Sequence, residues 1–417
     1  MLGELRREDH SRADVDAQLL TLARSASLER GQLVAAVLAA NRELAAMREG
    51  WRAALAEVSA AGSFDDPMIS YEIAPLSIAS SSAPLGQRVQ LSQKLPFPGK
   101  RDLARDAAVA EAEAMRGDVE GMRLALAEMA SQLYDDNFLN ARAAEINEKH
   151  RALLEQLKKA SEARLASGRG STQDALQAEV ELGHLEHERA MLETERISIV
   201  ARLNGLLHRD PSAPLPPPPA ELPVPAEPVA VESLTRNARA ARPQKAAAQA
   251  RVRAGEANVA AAERAYYPDL ELMASYDSMW DMPEHRWMVG VAIDVPIQRG
   301  KRDAEVEAQR ARVAQARASV EQQDDEIGVE VTRAHRELVE ALHVVKLYDE
   351  RLLPTARAQV DAAVGGFTTG ANDFPAVIAA ERGLREIELA ALRAHADASR
   401  RASTLERVTG RVAGGAK

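Results

Sequence analysis

Four soft or borderline metal donors fall within ten positions of one another: Met279, Met282, His285 and Met288. Thioether sulfur with imidazole suits Cu(I). The simpler reading of the same residues is loop methionines that face lipid or a partner strand. His184 and His187, three apart on a helical pattern, could share one ion or merely be solvated. No Ser, His and Asp set stands in a nucleophile–base arrangement, and no glycine-rich phosphate loop joins a strand to a helix, so the residues make no case for an enzyme or a cofactor. Basic pairs occur at Lys100-Arg101 and Lys301-Arg302, each just after a glycine, Gly99 or Gly300. Cations at a helix start oppose the helix dipole. A position where strand gives way to helix at a headgroup layer would account for them, with long stems able to snorkel toward anionic lipid.

The two basic pairs are 201 residues apart, and other landmarks keep that register: Pro67 with Pro268, Val119 with Val320, Leu126 with Ile327. Gly168 and Gly370 are 202 apart. The chain is therefore two copies of one unit, each reading helix, strand pair, very long helix, tight turn, helix. Residues 1–26 form a polar leader, 27–208 the first repeat, 209–230 a linker, 231–409 the second repeat and 410–417 a tail. Nine of the twenty prolines lie between Asp210 and Ala230, a density that excludes helix or central strand.

Within the first repeat, a helix is expected over 27–61. Strands follow at 68–95, where Ile69, Tyr71 and Ile73 alternate with Ser70 and Glu72, and Val89 and Leu91 alternate with Arg88, Gln90 and Ser92. A Ser- and Pro-rich loop, Pro75 to Gly86, joins the two strands. After Arg101 no strong breaker occurs until Gly168, which allows a helix of about 100 Å at 1.5 Å per residue. Met115, Val119, Met122, Leu126, Met129 and Leu133 give it a coiled-coil seam. Gly168 and Gly170 make a turn, and Ser171 with Asp174 forms a cap pair for a returning helix. The second repeat has a helix over 231–265, strands within 269–295 and a long helix from Lys301 to Val364. That helix carries Val306, Val313, Val320 and Ile327 at heptad spacing, then a turn from Gly365-Gly366 to Gly370, with Asp373 capping the return.

Bulk composition agrees with long helices: of 417 residues, 3% are aromatic and 28% charged. A net charge of −10 gives no support for nucleic-acid binding. Cysteine is absent, which excludes disulfides, thiolate metal sites and a lipidated cysteine within this sequence. No run approaches the ~18 apolar residues of a spanning helix, and Met1 to Leu20 is polar rather than signal-like. A β-barrel would nevertheless hide its spans in short alternating strands. Eight of fourteen aromatics (Phe64, Tyr71, Phe97, Tyr266, Tyr267, Tyr276, Trp280, Trp287) gather at the strand pairs, as in interfacial girdles. Four strands cannot close a barrel, so a membrane role requires oligomerisation. A soluble, elongated coiled-coil scaffold or periplasmic adaptor is the alternative.

The duplicated plan, with Pro-Phe-Pro-Gly-Lys-Arg at 96–101 and Pro-Ile-Gln-Arg-Gly-Lys-Arg at 296–302, resembles the TolC-type outer-membrane efflux ducts. The likeness runs from Ser27 to Thr409. It includes Asn41-Arg42-Glu43-Leu44, similar to the family's Asn-Pro-Glu-Leu, and the hairpin tip Gly168 to Glu179. The first junction is similar to the heavy-metal efflux branch. The resemblance implies a mostly α homotrimer whose long hairpins form an α-barrel continued by a twelve-stranded β-barrel in outer-membrane lipid. Its expected location is the outer membrane with a periplasmic extension. Tips at Gly168, Gly170, Ser171 and Asp174, and at Gly366, Gly370 and Asp373, would meet a periplasmic adaptor coupled to an inner-membrane pump. Asp174 matches an acidic gate position, whereas Ala376 and Ala379 stand where the second hairpin often has Asp.

Overall fold

A computed structural model describes residues 12–78, 85–168 and 170–412. The start of the polar leader, residues 79–84 of the Ser- and Pro-rich loop, residue 169 of the first tip and the end of the tail lie outside the described residues. In chain order the helices are α1 (Arg12–Arg24), α2 (Arg30–Ala40), α3 (Arg42–Ala61), α4 (Lys100–Ala166), α5 (Thr172–Leu206), α6 (Val231–Ala241), α7 (Pro243–Arg264), α8 (Arg299–Leu347), α9 (Leu353–Thr369) and α10 (Phe374–Val408). The strands are β1 (Met68–Ile73), β2 (Gln87–Leu95), β3 (Asp269–Asp277) and β4 (Trp287–Asp294). They form one antiparallel sheet in the order β1-β2-β3-β4, so the two repeats meet edge to edge at β2 and β3.

Several local features differ from the pattern reading, each for a physical reason. The leader contains α1, whose Leu22 is 1% exposed in the main core. The helix expected over 27–61 is broken at Asn41, which is extended and accepts the Leu44 N–H through its side chain. Its counterpart 201 residues on, Arg242, is extended too, because a residue before proline avoids the α region. Gly117 of α4 lies against that second break. A Cβ there would approach the Pro243 carbonyl oxygen to 2.8 Å, so glycine permits the close approach.

The second long helix does not run straight to Val364. The turn Tyr348–Leu352 widens into π geometry directly before Pro354, whose ring and missing N–H are incompatible with a regular turn. Helix then continues to Thr369, taking in Gly365 and Gly366, which were expected in the turn. The linker is extended but packed. Leu222 is 8% exposed in the main core, Pro217 O accepts from Leu28 N at 2.7 Å, and buried Asn204 donates to Ala213 O at 2.8 Å.

The seam of α4 is only half buried. Val119, Leu126 and Leu133 are core residues, whereas Met115 and Met129 are 37% and 48% exposed. One chain uses one stripe of the helix and leaves the neighbouring stripe uncovered. On α8, Val306, Val313 and Ile327 are buried as the heptad spacing suggests, with Val320 intermediate.

Candidate functional site

Register divides the sheet into two unlike faces. Ile69 pairs with Leu91 and Leu91 with Ala274; Tyr71 pairs with Val89 and Val89 with Tyr276. Across the last pair Leu270, Leu272, Ala274 and Tyr276 meet Ile293, Val291, Val289 and Trp287. Side chains alternate along a strand, so all of these lie on one face. That face is uncovered: Val289 is 90% exposed, Trp287 73% and Ile69 72%. A contiguous bare apolar surface marks a lipid or protein contact. The opposite face carries Ser70, Glu72, Arg88, Gln90, Ser92, Ser275 and Asp277, with Arg88 Nη2 donating to Asp277 Oδ2 at 2.7 Å and Arg88 Nη1 lying 3.6 Å from Glu72 Oε2.

Rings mark both ends of the apolar face. Tyr276 and Trp287 pair with centroids 5.2 Å apart at the loop end, and Phe97 and Tyr267 stack at 4.6 Å at the helix end. Amphipathic rings at two levels are what two membrane interfaces select. Among the described residues no helix is long and apolar enough to span a membrane.

The two strand-to-helix junctions are built differently. Gly99 has φ 87°, a left-handed conformation that glycine adopts without strain, and it leads into α4. Lys100 turns inward: Nζ lies 2.7 Å from Asp269 Oδ1 and 2.9 Å from Tyr267 O, and Asp269 also accepts the Phe97 N–H at 2.8 Å. Arg101 stacks on Phe64 at 3.5 Å and donates to Gly62 O. The first basic pair therefore holds strand and helix corners together instead of reaching outward as the snorkelling reading expects. At the second junction Gly300 lies inside the first turn of α8, so it is not the conformational counterpart of Gly99. Lys301 is 61% exposed near Glu305, and Arg302 pairs with Glu305 at 3.1 Å.

At the first tip Gly168 is left-handed, and Gly170 packs on the last turn of α4. Ser171 accepts the Gln173 N–H while Asp174 reaches back to Ser171 N at 3.4 Å, a capping box. At the second tip Gly370 is left-handed, Gly366 O accepts from Ala371 N at 2.7 Å and Asn372 N at 3.0 Å, and Asp373 caps α10 through Ala376 N. Arg164 joins the two tips, donating to Phe367 O at 2.9 Å and lying over the Phe367 ring. Leu176 and Val180, just beyond the first tip, are 62% and 59% exposed.

Of the possible metal donors, Met279 and Met282 are exposed in the β3–β4 loop, His285 meets Trp280 edge-on, and Met288 is on the polar face opposite Ser275. His184 and His187 are exposed on α5. Among the described residues no group of three His, Cys, Asp or Glu side chains is placed to hold a metal.

Two buried ionic clusters escape the sequence patterns. Asp135 of α4, fully buried, binds Arg30 Nη2 at 2.5 Å and accepts from Ser399 of α10 at 3.1 Å. Burial pushes its carboxyl up to about 6, against the Arg30 charge. Farther along, His150 of α4 sits between Glu381 and Glu388 of α10. His150 continues the seven-residue series of Met115, Met122 and Met129 with a titratable side chain, whereas Asp135 lies off the seam read from the sequence.

Residues 234–411 match the family described as outer membrane efflux protein. No curated protein matches the chain in sequence. Among solved structures, the outer-membrane channel OprN is 22% identical, with TM-score 0.78, covering 91% of this chain and 89% of that one. CusC, whose structures concern transmembrane channel formation, is 19% identical, with TM-score 0.79 and 92% of each chain covered. The outer membrane protein VceC from Vibrio cholerae is 18% identical, with TM-score 0.76 over 92% of this chain and 96% of that one. The match to the outer membrane efflux protein family falls on the second repeat, and the solved outer-membrane channels share the fold across both repeats.

Proposed function

We propose that three copies of this chain close into one duct, a twelve-stranded barrel in the outer membrane continued by a helical tube in the periplasm. The supporting observation is the two-faced sheet: a bare apolar face ringed at both ends, a polar face opposite, and free edges at β1 and β4. Unpaired strand edges cannot face hydrocarbon, so β1 of one copy must meet β4 of the next. The exposed Met115 and Met129 stripe then becomes contact surface between neighbouring helices. A soluble scaffold gives no account of the bare apolar face.

The duct is passive. An inner-membrane pump supplies the energy, and a periplasmic adaptor grips the tips, where Leu176 and Val180 offer exposed apolar surface beside the cap at Ser171. Heavy-metal cations are the cargo class we assign, on the likeness of the 96–101 junction to that branch, and Asp174 is the acidic residue we assign to the gate at the first tip. Acidic groups at a constriction favour cations. The test is mass in detergent followed by single-channel recording. A detergent-dependent trimer with cation-selective current is expected, and a detergent-free monomer or dimer would overturn the duct.

A further inference from the structure

His150 and its two carboxylates serve no purpose that the duct requires. His150 is 2% exposed, Glu381 3% and Glu388 8%. The two glutamates, seven residues apart, share one face of α10, and they grip opposite ring nitrogens: Nδ1 meets Glu381, and Nε2 lies 2.9 Å from Glu388 Oε2. A neutral imidazole has one N–H and one lone pair, so it can donate to only one of them. Two carboxylates on two ring nitrogens require the imidazolium, or an equivalent proton held within the cluster.

The surrounding charges make the two carboxylates unequal. Glu388 also has Lys149 of α4 at 3.0 Å and Arg357 of α9 at 3.7 Å. Arg382 and Arg385 of α10 face α5 instead, pairing with Glu181 and, at 2.8 Å, with Glu188. Asn147 of α4 also donates to Glu188. Glu381 has no cationic partner besides His150 among the described residues, and its Oε2 is buried without a hydrogen bond. Once the proton leaves, Glu381 or Glu388 faces a lone pair in a buried interface. A buried charge stripped of its partner is costly.

We propose that His150, Glu381 and Glu388 form a proton-operated clamp between the hairpins of the two repeats, closed while the cluster holds its extra proton and released as pH rises. For the duct reading, on which its functional meaning rests, the clamp lies about 24 Å from the end of α4 at 1.5 Å per residue. Its release frees α10 from α4 in the segment leading to the tips. Burial opposes the charged ring, and the two carboxylates outweigh it, so His150 titrates above its ordinary value. The sign follows: a raised histidine stabilises fully below its unfolded value and loses that contribution as pH climbs through the folded one.

The chain has no cysteine, so paired labels can be placed in the full-length protein at Gln156→Cys on α4 and Ala379→Cys on α10, both exposed positions. Pulsed dipolar spectroscopy would read their separation from about pH 5.5 to about pH 9.5, a range bracketing a histidine raised above its usual value. A narrow distribution at low pH that broadens outward at high pH is expected. In His150→Gln it should be broad throughout, and in Glu388→Gln the midpoint should fall by about one pH unit, as expected for losing one adjacent charge. A distribution indifferent to pH with His150 intact, a response surviving in His150→Gln, or an unmoved midpoint in Glu388→Gln would each overturn the clamp. Should His150→Gln fail to fold, the Glu388→Gln midpoint decides. Separations are read without ion current, so a protein that conducts nothing still gives them, and failure of the duct is distinguishable from failure of the clamp.

Discussion

Lys100 Nζ lies 2.7 Å from Asp269 Oδ1, joining the helix start of the first repeat to the strand start of the second. Both side chains are about four-fifths buried, and the same carboxylate accepts the Phe97 N–H. Asp269→Asn leaves Lys100 without its charge partner and should cost about 2 kcal/mol, the scale of a hydrogen bond to a charged group. Thermal melting in detergent would register it. The double variant with Lys100→Met should lose less than Asp269→Asn alone, and an equal or larger loss would mean the pair is incidental.

The two sheet faces predict opposite tolerances. Val289→Arg puts a charge on the bare apolar face and should cost about 2–4 kcal/mol of membrane-inserted stability if the site lies near mid-bilayer. Ser275→Arg, on the polar face, should insert normally and alter conductance. Urea titration in lipid vesicles with parallel current recording separates them. Harmless Val289→Arg would show that this face never meets lipid.

Gly366 supports the second tip by lacking a side chain. A Cβ there would fall 2.6 Å from Asn372 Cγ, while Gly366 O holds the Ala371 and Asn372 N–H groups. Gly366→Ala should destabilise the tip by about 1–3 kcal/mol, as overpacking does. Adding Asn372→Ala should restore part of it. Hydrogen exchange over 366–376 is the measurement, and unchanged exchange in Gly366→Ala would contradict this.

Asp135 and Glu388 give opposite pH slopes. The Asp135 carboxyl is raised to about 6, so between its ordinary range and 6 the folded chain binds more protons than the unfolded one, and stability falls as pH rises there. The hydrogen bond from His150, with Lys149 beside it, holds Glu388 down at about 2. Its contribution is present above the ordinary carboxylate value and disappears as pH falls toward 2. Each shift corresponds to about 3 kcal/mol at 1.36 kcal/mol per unit. Melting curves across acid pH should show Glu388→Gln flattening the loss below pH 4.5 and Asp135→Asn removing the slope just below 6. The reverse assignment would refute both.

Asp174 combines a structural and a proposed functional role. It closes the capping box with Ser171, and by position it would set cation preference at the tube's end. Asp174→Asn keeps an acceptor for the Ser171 N–H, whereas Asp174→Ala loses it, about 1 kcal/mol for a cap. Both should reduce cation selectivity in reversal-potential measurements, and only the alanine variant should lower melting temperature. Selectivity intact in both would restrict Asp174 to its cap.

What could be read directly from the chain was local or periodic. The repeat at 201 residues, the alternation of Ile69, Tyr71 and Ile73, and the caps at Ser171 and Asp373 depend on residues a few positions apart, and those relationships persist however the rest folds. The Asn41 break is also local, but a single Asn in a helical pattern competes weakly with the surrounding helix formers until α2 and α3 are packed. What only tertiary structure decided was which stripe of a long helix is buried and which distant charges meet. His150 and Glu381 are 231 residues apart, and their pairing depends on the axial register of α10 along α4, which many remote side chains set together. The same register buries Leu126 and leaves Met129 exposed, although the spacing treats them alike. Periodicity names the stripe that can be buried; the neighbouring helix determines which stripe is.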